Sequence, residues 1–116
     1  MLNRKYRFHS RGGVRYVYQH GKTVRRAQMS LISVENTRGF TRVAVVVSKK
    51  IAKSAVVRNK IRRRIYEALR VNFDVLPKKK DYIFVVYTDK VLDLSFNELE
   101  RILGELVMES KVCYNR

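Results

Sequence analysis

The sequence predicts an α+β domain, and three observations carry that reading. Two long segments repeat apolar residues at helical period. Three shorter apolar runs have the length and residue types of strands. The two kinds of segment do not alternate strictly, which disfavours a doubly wound parallel sheet and favours a sheet packed with its apolar face on two longer helices. With 116 residues, 46% of them apolar, the chain can bury one core and is short for two.

Residues 1–13, "MLNRKYRFHSRGG", are basic, end in Gly12-Gly13 and read as a mobile arm; residues 14–116 read as one domain. "VRYVYQHG" follows as a short helix for which Gly21 supplies the C-cap. "AQMSLISVE" and "FTRVAVVVS" are two strands, joined by a turn through Asn36 and Gly39. A helix then begins near Ser54. With Val57 set at 0°, Ala68, Ile61, Ile65 and Leu69 fall within about 120° of one another. Arg62, Tyr66, Asn59, Arg70 and Arg63 fall between about 140° and 240°, on the far side, and Arg58 borders the apolar stripe. "LPKKKD" is a turn, and "DYIFVVYT" a third strand apolar enough to be central. In the last helix Ser95 and Glu98 make a capping box, and Leu94 and Leu99 a hydrophobic staple. Its stripe is Phe96, Leu99, Ile102, Leu103, Leu106 and Val107.

The charge is unusual in size and placement. Lys and Arg number 26 against 10 acidic residues, a net of +16. Residues 1–73 hold 19 basic residues against only Glu35 and Glu67. Such a field attracts polyanions and says little about fold. Solvated helix faces normally mix signs, yet from Lys49 to Arg70 there are nine basic residues and only Glu67. That crowding is costly unless a polyanion relieves it, and nucleic acid is the polyanion to expect. An anionic membrane surface fits less well, because the modest apolar stripe of the basic helix is needed for the core.

Other functions find little support. His9 and His20 are the only histidines, and neither has a carboxylate or cysteine nearby in sequence. Asp89 and Asp93 beside a helix start read as solvated or capping rather than as Mg²⁺ ligands. No Gly-rich phosphate loop precedes a helix. The one cysteine, Cys113, makes no internal disulfide or multi-cysteine zinc site. The N-terminus lacks the apolar core of a signal peptide, and no apolar run is long enough to span a bilayer. A cytoplasmic protein is expected, with neither a membrane nor a small molecule as partner. Tyr6, Phe8, Tyr16 and Tyr18 interleave with Arg4, Lys5, Arg7, Arg11 and Arg15, the arrangement by which rings stack on unpaired bases while cations hold phosphates. Tyr18 and Phe8 could equally pack the first helix onto the sheet.

At "VSKKIAKSAVVRNKIRRRIYEALR" the chain resembles the bacterial ribonuclease P protein component. Lys49 and Lys50 match that family's lysine pair after a strand. Arg58-Asn59, Arg62-Arg63, Glu67 and Arg70 match its arginine-rich helix. Tyr66 stands where an arginine is usual, Val14 where phenylalanine is frequent, and Ile32 where some members have tyrosine. The resemblance implies an α–β sandwich, a mixed sheet of about four strands with a left-handed βαβ crossover, an exception to the usual hand. It implies a division of labour in which a large RNA holds Mg²⁺ and cleaves precursor tRNA, while the protein binds that RNA and the 5′ leader. The RNA-binding residues would be Lys49, Lys50, Lys53, Arg58, Asn59, Lys60, Arg62, Arg63, Tyr66 and Arg70, and the leader-binding residues Tyr18, Tyr16, Phe8 and Arg15. No catalytic residue and no metal ligand is assigned to the protein itself. A ribosomal or other structural RNA-binding protein is the alternative.

Overall fold

In the computed structural model, residue 7 and residues 11–36, 40–71 and 79–114 are described. The elements run α1 (Arg11–His20), β1 (Lys22–Arg25), β2 (Met29–Glu35), β3 (Arg42–Val47), α2 (Ala55–Val71), β4 (Lys80–Val86), a 3₁₀ turn (Asp89–Asp93) and α3 (Phe96–Tyr114). The four strands form one mixed sheet in the order β1-β2-β4-β3. β4 is central, as its apolar run predicts, antiparallel to β2 and parallel to β3. β2 and β3 follow each other in sequence but do not pair, because β4 lies between them. The parallel pair needs a long connection, and α2 is that connection. Of the expected turn between β2 and β3, residues 37–39 lie outside the described residues. β1 was not legible beforehand: four residues with a single buried side chain, Val24, leave no periodic trace.

Strand alternation gives the sheet two apolar faces. Met29, Leu31, Val43, Val45, Val47, Tyr82, Phe84 and Val86 face α2 and α3, which contribute Ile61, Ile65, Leu69, Leu99, Ile102 and Leu106 among others. On the opposite face Ile32, Ala44 and Ile83 pack under Val17 of α1, flanked by half-buried Val14, Val34, Val46 and Val85. The sequence reading placed the two longer helices correctly. It left open whether the first helix packs onto the sheet, and that helix forms this second, smaller layer through Val17.

Local chemistry sets the helix ends. Ser54 Oγ accepts from the Val57 N–H at 3.4 Å and starts α2 where expected. Ser95 Oγ accepts from the Glu98 N–H and donates to Glu98 Oε1, both at 3.1 Å, with Leu99 buried behind the cap. Gly21 ends α1, its N–H donating to the Val17 carbonyl at 2.7 Å. The reason for glycine is close approach: a Cβ would stand 2.6 Å from Ile32 Cγ2 and 2.5 Å from the Val17 oxygen.

Two arginines lock the layers. Arg64 donates to the carbonyls of Val91, Leu92 and Leu94, tying the 3₁₀ turn to α2. Arg42 of β3 forks Asp81 of β4 through Nε and Nη2 at 3.0 and 2.8 Å, and Asn36 donates to the same carboxylate at 2.8 Å. α1 begins at Arg11, three residues inside the expected arm, and Arg7 makes an isolated bridge to Val43 on the outer edge of β3. The rest of the arm, Phe8 and His9 included, lies outside the described residues.

Candidate nucleic-acid interface

The cationic helix keeps part of its expected face and yields the rest to the core. Asn59, Lys60, Arg63 and Arg70 are exposed along one ridge of α2, and Arg62 is half-buried beside it, donating to Asn59 Oδ1 at 2.8 Å. Glu67, the ridge's acid, accepts from Arg70 Nε at 3.0 Å, and the Arg70 guanidinium holds its carboxyl down at about 2. The ridge therefore meets an anion with Glu67 already engaged.

Lys49, Lys50 and Lys53 are exposed on the loop between β3 and α2, and Ala52 is buried beneath them. The loop is held from both ends. The N–H groups of Ile51 and Ala52 donate to the Ser48 carbonyl at 3.1 and 3.3 Å. From the first turns of α2, Arg58 Nη1 donates to the carbonyls of Ala52 and Lys53, each at 2.9 Å. The sequence reading set Arg58 among RNA contacts. The structure gives it a second task, fixing the loop that presents three lysines.

Tyr66 is a correction. Placed on the cationic back by helical angle, it retains only 7% of its surface exposed. Its hydroxyl accepts from the Val45 N–H at 3.3 Å, satisfying an outward-facing donor on edge strand β3. Burial pushes its phenol pKa up. A wheel drawn on one helix cannot show that a strand edge lies beside this angle.

On the opposite face of the sheet, α1 covers only part of the apolar surface. Val46 and Val85, opposite each other on β3 and β4, stay half-exposed, and Ser30 of β2 stands opposite Val85. Tyr87 overhangs this strip, its hydroxyl donating to Ser30 Oγ at 2.7 Å. Tyr18 faces it from α1: burial, then the nearby Tyr87, push the Tyr18 phenol up. The result is a groove with an aliphatic floor, two tyrosines at its sides and Arg25 sharing the face opposite Ser30.

Tyr16 does not join it. Two residues apart on a helix place it about 160° from Tyr18, and its ring lies 4.4 Å from that of His20 instead. Arg15 is exposed on the outer side of α1. Ile32 and Val14 are spent on seating α1. Sequence reasoning missed Tyr87, Ser30, Val46 and Val85. Their only trace was period-two alternation within "YIFVVYT" and "MSLISVE", which does not say which face stays open.

Among the described residues no group of three or more His, Cys, Asp and Glu side chains is placed to hold a metal. No helix among them is long and apolar enough to cross a membrane.

Comparison with known proteins agrees with this geometry. The family model for ribonuclease P matches residues 2–111. The chain is 37% identical over 94 residues to the ribonuclease P protein component of Thermoanaerobacter sp. strain X514, covering 81% of this chain and 79% of that one. It is 32% identical over 99 residues to the counterpart from Clostridioides difficile, covering 84% and 85%. The solved RNase P protein of Staphylococcus aureus superposes with a TM-score of 0.79 at 27% identity, covering 92% of this chain and 96% of that one. That of Thermotoga maritima gives 0.78 at 23% identity, covering 87% and 94%, and bears on fold alone. The expected α+β class is the one these structures share. By sequence match along nearly its whole length and by fold, the chain belongs to the ribonuclease P protein family.

Proposed function

We propose that this protein acts as the non-catalytic subunit of ribonuclease P, holding the catalytic RNA on one side of its sheet and the 5′ leader of precursor tRNA on the other. The observation that carries the reading is the pairing of two unlike surfaces. The α2 ridge with the lysine loop is cationic, polar and convex, suited to the phosphates of a folded RNA. The groove beside α1 is aliphatic and aromatic, suited to unstacked bases of a single strand. A protein that only coats a structured RNA needs the first surface and has no use for the second.

In this reading the protein raises local substrate concentration and orients the leader, while the partner RNA would hold the Mg²⁺ that supplies Lewis-acid chemistry for hydrolysis. The assembly works in the cytoplasm. Reconstitution is the test. Added to a ribonuclease P RNA and a precursor tRNA at low Mg²⁺, the protein should stimulate cleavage at the mature 5′ end. RNA binding without stimulation would move the protein to the structural class.

A further inference from the structure

Arg7 is the described residue of the N-terminal arm that meets the sheet. It bridges to Val43 on the open edge of β3, and its guanidinium carbon stands 5.7 Å from the centre of the Tyr66 ring. That platform is rigid, since the Tyr66 hydroxyl is bound to the Val45 N–H and the ring is buried. An arginine over an aromatic face gains cation–π attraction while keeping its donors available at the ring's rim.

Two facts mark this spot as unfinished. Arg7 Nε is buried and has no hydrogen-bond partner. Arg62, one turn before Tyr66 on α2, brings a second guanidinium on a half-buried residue, and both positive charges act on the Tyr66 phenol against the effect of burial. No carboxylate balances the pair: among the described residues the ion pairs join Arg26 to Glu105 and Glu109, Arg42 to Asp81, Arg70 to Glu67 and Arg101 to Glu105. The side-chain acceptor of Arg62 is the neutral Asn59. Two like charges acting on one phenol, one of them with a buried Nε, repel each other unless an anion sits between them.

We infer that Arg7, seated on Tyr66, and Arg62, one helical turn before it, form a clamp for one backbone phosphate of the bound RNA. The inference rests on the reading of α2 as an RNA face and extends that face past the helix to the edge of β3. Guanidinium forks match phosphate oxygens in pairs, which a lysine cannot do. Tyr66, removed from direct contact by burial, thereby acts on RNA as a positioning residue.

The experiment is equilibrium binding of the full-length protein to the catalytic RNA across a salt series. Arg7→Ala should raise Kd about three- to tenfold and reduce the slope of log K against log salt by about one. Arg62→Ala should do the same. The double variant should lose no more slope than either alone, because both residues grip one phosphate. Arg7→Lys, which keeps charge and lacks the fork, should hold the wild-type slope with weaker binding, and it serves where the alanine change disturbs the strand edge. Unchanged affinity and slope in Arg7→Ala, with the wild type still binding, would overturn the clamp and leave the α2 reading intact. A slope loss of two in the double variant would mean separate phosphates and overturn it equally. Failure of the wild-type protein to bind would overturn the α2 reading and the clamp together.

Discussion

The hydroxyl of Tyr87, one residue past the end of β4, donates to Ser30 Oγ of β2 at 2.7 Å, and this bond fixes the ring that confronts Tyr18 over the groove. A ring held by its own hydroxyl is pre-ordered for stacking and loses little entropy when a base arrives. Tyr18→Ala and Tyr87→Ala should each weaken holoenzyme binding of precursor tRNA by about 1–3 kcal/mol. Mature tRNA, without a leader, should bind as before. Equal losses for the two ligands would show that the variants disturb packing and that no base occupies the groove.

The ridge and the loop clamp separate by their effect on the free protein. Lys60 and Arg63 are exposed on the ridge of α2. Changed singly to alanine, each should reduce the salt slope of RNA binding by about one. Their urea midpoints should stay at the wild-type value. Arg58→Ala should lower that midpoint, because the Ala52 and Lys53 carbonyls lose a charged donor, a loss of about 1–3 kcal/mol. An unchanged midpoint for Arg58→Ala would return that residue to a purely external role.

The Arg42–Asp81 pair joins the parallel strands with its side chains 14% and 7% exposed. Asp81→Ala removes the largely buried carboxylate on which two Arg42 donors and the Asn36 amide converge. The expected cost is about 3–5 kcal/mol in denaturant unfolding, enough to unfold a marginal small domain. A cost under about 1 kcal/mol would place the pair with exposed surface bridges.

Tyr82 and Ser33 stand opposite each other on β4 and β2, and each buries a hydroxyl without a hydrogen-bond partner. Burial alone drives the Tyr82 phenol pKa well above its ordinary value. Since a tyrosine in the unfolded chain ionises near about 10, the folded state keeps this proton longer. The stability tied to it is complete below about pH 10 and falls as pH rises from there through the folded pKa. Tyr82→Phe should therefore gain up to about 1 kcal/mol at neutral pH and flatten the alkaline decline. Urea midpoints from pH 7 to 11 read both effects; parallel declines for wild type and variant would sink the idea.

What the sequence disclosed follows physical locality. α2 and α3 were legible with their caps because the Ser54 and Ser95 hydroxyls act on backbone N–H groups three residues on. β2, β3 and β4 were legible as elements and β1 was not, and the strand order was hidden, since pairing of Met29 with Val86 leaves no local mark. The candidate site divides the same way. Exposed Lys60 and Arg63 are a property of one helix. Tyr66, Arg58 and Tyr87 took their roles from Val45, Ala52 and Ser30, partners supplied by other segments. Asp89 and Asp93, read as solvated or capping, bound the 3₁₀ turn that Arg64 holds.

The strand at the heart of the sheet is the last one made. During synthesis β2 and β3 emerge before residues 80–86, the strand with which each pairs in the folded sheet. Until then only the β1–β2 hairpin has a partner strand. Condensation is thus a single late event with a high proportion of distant contacts, a topology that folds slowly and exposes edges while it waits. In a nascent chain whose first 73 residues are so strongly cationic, like-charge repulsion during that interval holds such chains apart and so guards the open edges against self-association.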